Sequence, residues 1–120
     1  MILVVDDSSL IRSLVSAALA KVNVQVCQAD SSAAALKICE REPIDAVLLD
    51  VELGGENGLD ICAKLKTTSN TAQIPVILMS GYAEHEISAL GITYTPDYYL
   101  PKPFTLCEIQ HIVQQAIRQR

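Results

Sequence analysis

A three-layer α/β/α sandwich around a five-stranded parallel sheet is the fold this sequence predicts, and three observations predict it. Short solid apolar runs at 2–5, 46–49 and 76–79 alternate with segments whose apolar residues recur at helical spacing. The runs are apolar at every position, as in strands covered on both faces. The chain has 120 residues, half of them apolar. That is enough for one core, removing roughly two-thirds of the unfolded surface from water. Strands alternating with helices imply parallel pairing through right-handed crossovers, and a single domain over 1–120 is expected.

The elements follow in order. Ile2–Val5 is a strand ending at Asp6 and Asp7. Leu10, Ile11, Leu14, Val15, Ala18 and Leu19 form one helical face. Val24, Val26 and Cys27 mark a second, β-branched strand at 24–27. Ser31 or Ser32 caps a second helix carrying Ala35, Leu36, Ile38 and Cys39, which Pro43 closes. The run at 46–49 ends in Asp50. Gly54, Gly55 and Gly58 around Glu56 and Asn57 make a flexible turn. Leu59, Ile61, Cys62 and Leu65 face a third helix, and Pro75 opens a strand ending at Ser80 and Gly81. A short helical patch at 84–90 stops at Gly91, and Tyr98, Tyr99 and Leu100 form the last strand. Helix 105–117 is announced by a capping box of Thr105 and Glu108, with Phe104 and Ile109 placed to staple the entry.

Composition excludes several functions. Nine basic against fourteen acidic residues give a net charge of −5, the wrong sign for direct binding to nucleic acid or an anionic membrane. No Trp and one Phe leave no stacking platform for bases. No apolar run approaches the ~18 residues of a membrane span, and no basic stretch precedes the first run, so no secretory leader is read there. The cysteines at 27, 39, 62 and 107 contain no Cys-x-x-Cys pair. They read as buried thiols of a reducing, cytoplasmic protein rather than a metal or redox site. His85 and His111 lack ligand spacing and read as solvent-facing. Arg118 and Arg120 suit a helix C-terminus.

In a parallel sheet the strand ends point one way, and ligands collect there at the switch in strand order. Asp6 and Asp7 end the first strand, Asp50 the third and Ser80 the fourth, and Lys102 follows the fifth. Three carboxylates, a hydroxyl and an ammonium should meet in one crevice. Crowded carboxylates repel, and a hard divalent cation such as Mg2+, which takes oxygen ligands, removes the conflict. A phosphoryl group could then enter, with Lys102 offsetting its charge, Ser80 donating, and the backbone beside Gly81 approaching closely because no side chain blocks it. A carboxylate with a pKa of ~3.9 can itself be the nucleophile. Asp50 is the candidate, the adjacent pair being better suited to metal.

These residues resemble the signature of response-regulator receiver domains such as the chemotaxis response regulator. The likeness runs from Ile2 to Arg118 through Val4-Val5-Asp6-Asp7-Ser8, Val47-Leu48-Leu49-Asp50, Asn57-Gly58 and Tyr99-Leu100-Pro101-Lys102-Pro103-Phe104. The resemblance implies a flavodoxin-like fold with strand order 2-1-3-4-5. It implies that Asp50 accepts a phosphoryl group from a phosphohistidine on a histidine kinase or phosphotransfer protein. It also implies Mg2+ held by Asp7, Asp50 and the backbone carbonyl of Glu52, with Asp6 acting through water. Ser80 and Tyr99 would be the switch pair, Lys102 would pair with the phosphoryl group, and Lys102-Pro103 would be cis. The output face would be the fourth helix, fifth strand and fifth helix, read by a downstream protein target. Glu52 and Tyr82 stand where the family tunes dephosphorylation. Departures from the family pattern are Gly54 for a common proline, Thr95-Pro96 for a Gly-Ala pair, the early Gly91, and Tyr98 for a frequent acid.

Two other functions compete. A receiver-like interaction module working without phosphorylation would keep the fold but not need all five landmarks. A dinucleotide enzyme would need Gly-x-Gly-x-x-Gly, a P-loop enzyme Gly-x-x-x-x-Gly-Lys and a haloacid-dehalogenase-type phosphatase Asp-x-Asp after the first strand, and none of these is present. The expected chain is thus no enzyme beyond catalysing its own phosphorylation and dephosphorylation. A homodimer through the last two helices stays open.

Overall fold

A computed structural model of the chain describes residues 1–53, 55–81 and 96–118. The expectations for Gly54, Tyr82, the helical patch at 84–90, His85, Gly91, Thr95 and Arg120 fall outside the described residues.

Five strands make one parallel sheet: β1 Ile2–Val5, β2 Val26–Ala29, β3 Ala46–Asp50, β6 Val76–Ser80 and β7 Tyr98–Pro101. Two two-residue strands, β4 Glu52–Leu53 and β5 Glu56–Asn57, pair separately and antiparallel. The order across the main sheet is β2-β1-β3-β6-β7, the expected 2-1-3-4-5 once the small hairpin is set aside. Helices α1 Ser9–Ala20, α2 Ser32–Arg41 and α3 Gly58–Thr67 and a C-terminal helix Leu106–Arg118 cover it.

The strand alternation sorts the core into two layers. Leu3, Val5, Val47, Leu49, Val76 and Leu78 point to one face and pack with Ala35 of α2 and with Ile61, Cys62 and Leu65 of α3. Ile2, Val4, Ala46, Leu48, Ile77 and Met79 point to the other. There they meet Val15, Ala18 and Leu19 of α1 and Ile109, Val113 and Ala116 of the C-terminal helix. β1, β3 and β6 are buried at every position, so the solid apolar runs are explained.

Helix ends obey local chemistry. Ser8, Ser31 and Asn57 are the N-caps, and their side chains accept from the N–H of Ile11, Ala34 and Leu59. In the capping box the Thr105 N–H donates to Glu108 Oε1 at 3.0 Å and the Glu108 N–H to Thr105 Oγ1 at 3.1 Å. Phe104 and Ile109 share one apolar cluster. The Lys102–Pro103 peptide is cis.

Three expectations are corrected. The second strand begins at Val26, not Val24, because the Val24 N–H still donates to Leu19 O at 3.0 Å and Asn23 turns at φ 62°. Those residues close α1 instead of extending. The stretch read only as a turn after Asp50 also carries a short antiparallel pair, Glu52 facing Asn57 and Leu53 facing Glu56, with Leu53 buried as its anchor. The cysteines are all free, but only Cys62 is buried; Cys27 and Cys39 are half-buried, and Cys107 is exposed on the outer side of its helix. Burial pushes the Cys62 thiol up to about 11. Among the described residues no helix is long and apolar enough to cross a membrane.

Candidate functional site

Strand register assembles the site. Val5 of β1 faces Leu49 of β3, so Asp6 and Asp50 follow on adjacent strands at the same level. Asp50 faces Met79 of β6, and the next residue there is Ser80. Ser80 faces Pro101 of β7, and the next residue there is Lys102. Four parallel strand ends thus deliver these groups to one edge, beside the point where the chain order reverses. Asp6, Asp7, Asp50, Glu52, Ser80, Gly81 and Lys102 all line one open cleft of about 740 Å³. Tyr99 does not; it is half-buried against the cluster under α2 and α3.

The acids are not equivalent. Asp6 is almost wholly buried, Asp50 nearly so, and Asp7 is exposed. Asp6 Oδ1 accepts from the Ser8 N–H at 2.9 Å, and Oδ2 lies 3.3 Å from Lys102 Nζ. Asp50 Oδ1 accepts from the Glu52 N–H and lies against Lys102 Nζ, both at 3.3 Å. Lys102 therefore bridges two carboxylates rather than standing free. Among the described residues nothing donates to the Asp7 carboxylate. Burial, and then the neighbouring Asp6 charge, raise the pKa of Asp50, with Lys102 and the Glu52 N–H opposing.

A divalent cation fits this arrangement. Asp6, Asp7 and Asp50 each offer a carboxylate oxygen, and these lie within 4.8 Å of one another. The donor set is all oxygen, as hard cations require. Among the described residues three acidic groups share a single ammonium, so the cleft has charge left to neutralise.

Gly81 lines the open cleft, and a Cβ there would meet no protein atom within 4 Å, so packing within the chain does not require this glycine. The glycine that is required is Gly58, which residue chemistry did not single out. A Cβ there would overlap the Asp50 carbonyl oxygen and come within 2.9 Å of Val51 Cα. Its absence lets the Gly58 N–H donate to Val51 O at 2.7 Å, seating the start of α3 directly behind Asp50. The Asn57-Gly58 dipeptide was the available signal. Arg12 was missed entirely: its Nη1 donates to the Asp6 carbonyl at 2.6 Å. No spacing rule reveals a partner that is a backbone oxygen.

Comparison with known proteins adds family relationships to this geometry. The family model described as response regulator receiver domain matches residues 2–114. The chain is 35% identical to a probable transcriptional regulatory protein of Picosynechococcus, covering 99% of this chain and 49% of that protein. It is 30% identical to the phosphate regulon transcriptional regulatory protein PhoB of Pseudomonas aeruginosa, covering 98% and 52%. The chain thus spans about half the length of the curated relatives it matches. Among solved structures, the receiver domain of NtrX from Brucella abortus superposes with a TM-score of 0.85 at 29% identity over the whole of both chains. Vibrio cholerae chemotaxis protein CheY4 superposes with a TM-score of 0.88 at 23% identity over 96% of each, a likeness of fold alone.

Proposed function

The chain belongs to the response-regulator receiver domain family, and from that premise we propose that Asp50 is its phosphoacceptor and that a histidine-phosphorylated protein is its donor. One observation carries the reading: three carboxylates and Lys102 converge at the strand ends, with Asp50 buried among them. In this reading 1–120 acts as a single receiver domain, a cytoplasmic signalling element without turnover of an external substrate.

The chemistry is a phosphoryl transfer between phosphohistidine and carboxylate. Asp50 Oδ1 is engaged by the Glu52 N–H and Lys102, which leaves Oδ2 as the nucleophile. Oδ2 forms the new O–P bond as the P–N bond of the donor breaks, and its electron pair returns to the imidazole nitrogen. The product is an acyl phosphate on Asp50. A carboxylate attacks in its ionised form, with no general base needed to make it a nucleophile. Asp7, Asp50 and the Glu52 carbonyl would hold Mg2+, with Asp6 acting through water. The ion, when bound, neutralises charge on the entering phosphoryl oxygens. Lys102 exchanges its carboxylate contacts for the phosphoryl group, and the buried Ser80 hydroxyl donates to it. The new charge makes contacts that exist in one state only, which biases Ser80 and Tyr99. The surface formed by the fifth sheet strand (β7) and the C-terminal helix, together with the expected fourth helix that lies outside the described residues, would carry that bias to a downstream protein. Glu52 lies exposed at the cleft rim, where it tunes access of water to the acyl phosphate.

Retention of all five landmarks and the kinship with response regulators disfavour a module that works without phosphate. The test is intact mass after incubation with acetyl phosphate and Mg2+. We expect a gain of one phosphoryl group, mapping to Asp50 and absent in Asp50→Asn. No adduct, or an adduct that survives Asp50→Asn, would sink the reading.

A further inference from the structure

We propose that Arg12 is a positioning residue for the acidic pair: its guanidinium, locked by Gln28 and Ser16, holds the Asp6–Asp7 peptide and so aims the Asp7 carboxylate into the cleft. The inference rests on the phosphoacceptor reading above and adds residues to it.

The observations form a closed circuit. Arg12 Nη1 donates to the Asp6 carbonyl oxygen at 2.6 Å, and Nε donates to Gln28 Oε1 at 3.2 Å. Gln28 Nε2 donates to Ser16 Oγ at 3.1 Å, and the Ser16 hydroxyl donates back to the Arg12 carbonyl at 2.7 Å. The chain of bonds begins and ends on Arg12, so the side chain has one supported conformation. It spans α1 and β2 to reach the end of β1. The fork geometry of guanidinium supplies two donors in fixed directions, one for Gln28 and one for Asp6.

What this holds is the peptide between the two acids. That unit is planar, so fixing the direction of the Asp6 carbonyl fixes where the Asp7 nitrogen lies. Asp6 has further anchors: its N–H donates to Ala29 O at 3.1 Å, and its carboxylate is held by the Ser8 N–H and Lys102. Asp7 has no donor to its carboxylate among the described residues, yet its oxygen lies within 4.8 Å of those of Asp6 and Asp50. The backbone must therefore do the aiming, and Arg12 fastens the backbone at that point.

Two other roles predict different results. A guanidinium acting only through its charge disfavours a cation, so Arg12→Ala would tighten Mg2+ binding. A guanidinium acting only as a brace between α1 and β2 would change melting temperature and leave Mg2+ affinity alone. Positioning predicts weaker binding in both Arg12→Ala and Arg12→Lys, since Lys keeps the charge but lacks the fork.

The experiment is calorimetric titration of Mg2+ into the wild type, Arg12→Lys, Arg12→Ala and Gln28→Leu, with melting temperatures and acetyl phosphate labelling of each. We expect the Arg12 variants to bind Mg2+ roughly 10-fold more weakly, as loss of a supporting partner around a metal site does, and Gln28→Leu to weaken it in the same direction. Gln28 is exposed, so its variant decides the matter should an Arg12 variant not fold. Wild-type affinity in all three variants, tighter binding in Arg12→Ala, or a change in melting alone would overturn the inference. A wild type that binds Mg2+ without gaining an adduct overturns the phosphoacceptor reading and leaves the Arg12 result standing on its own. A wild type that is labelled while the variants bind normally overturns only the Arg12 assignment. A wild type that does not bind Mg2+ overturns both.

Discussion

Asp50 sits where burial and the charge of Asp6 both oppose its ionisation, with Lys102 and the Glu52 N–H offsetting only part of the cost. Its folded-state pKa is raised above the value in the unfolded chain. Such a group contributes stability that is present below the ordinary Asp range and lost as pH rises through the raised pKa. At neutral pH the ionised carboxylate is therefore a net liability to the fold. Asp50→Asn should raise the melting temperature by a few degrees at pH 7 in EDTA, and the gap should close as pH falls below the ordinary Asp range. Melts over a pH series check this; a gap independent of pH would contradict it. Gly58 carries the opposite constraint. A methyl group there overlaps the Asp50 carbonyl oxygen, a backbone atom held within β3 that cannot give way cheaply. Gly58→Ala should cost about 2–3 kcal/mol, the upper range for forcing an added carbon into a packed site, and urea titration would measure it. Stability equal to wild type would mean that α3 slides without penalty.

At the scale of elements, the entry to β7 is set by one side chain. The Asp97 N–H donates to Val76 O at 2.9 Å, while Asp97 Oδ2 accepts from the Val76 N–H at 2.8 Å and lies 2.5 Å from Lys66 Nζ. Lys66 also donates to Ile74 O at 2.9 Å. One carboxylate thus ties the start of β7 to the start of β6 and the end of α3. Asp97→Ala should destabilise by about 1–2 kcal/mol, the cost of leaving a backbone donor unpaired. Asp97→Asn, which keeps an acceptor, should recover part of that in the same urea titration; equal losses in both would assign the effect to the Lys66 charge alone. This tie also marks the limit of reading elements from letters. The apolar runs of β1, β3 and β6 were legible because every position is buried, and no helix period imitates that. The start of β2 was not, since Val22 and Val24 close α1 over a left-handed Asn23 and only resemble a strand. The β4–β5 hairpin is too short to show a period of two. In the site, Asp6, Asp7, Asp50, Ser80 and Lys102 were legible because parallel strands must bring their ends together. Arg12 was not, because it acts on a backbone atom, and backbone atoms have no letter; Gly58 was marked only through the Asn57-Gly58 string, and its steric role behind Asp50 was not.

The molecule as a whole couples its sheet to its acidic cleft. The carboxylates come from the ends of β1 and β3, and Lys102 follows β7, so the cleft bridges strands that are not neighbours in sequence. These oxygens converge only in the folded chain. A cation held by them binds the native state and not the unfolded one, and stabilises it by RT ln(1 + [L]/Kd). At a hundred times Kd that is about 2.7 kcal/mol, a rise in melting temperature on the order of 10 °C for a domain of this size. Mg2+ should therefore raise the melting temperature of the wild type, and Asp7→Asn should remove most of the rise, since Asp7 is the exposed acid and no donor among the described residues satisfies it. Protons compete for the same oxygens. Because the pKa of Asp50 is raised, the stabilisation should begin to fade at a pH above the ordinary Asp range. The check is a melting series with and without Mg2+ at matched ionic strength from neutral to acidic pH. A rise of equal size in Asp7→Asn would place the ion elsewhere. A rise that persists undiminished through the ordinary Asp range would mean that Asp50 does not take part in holding it.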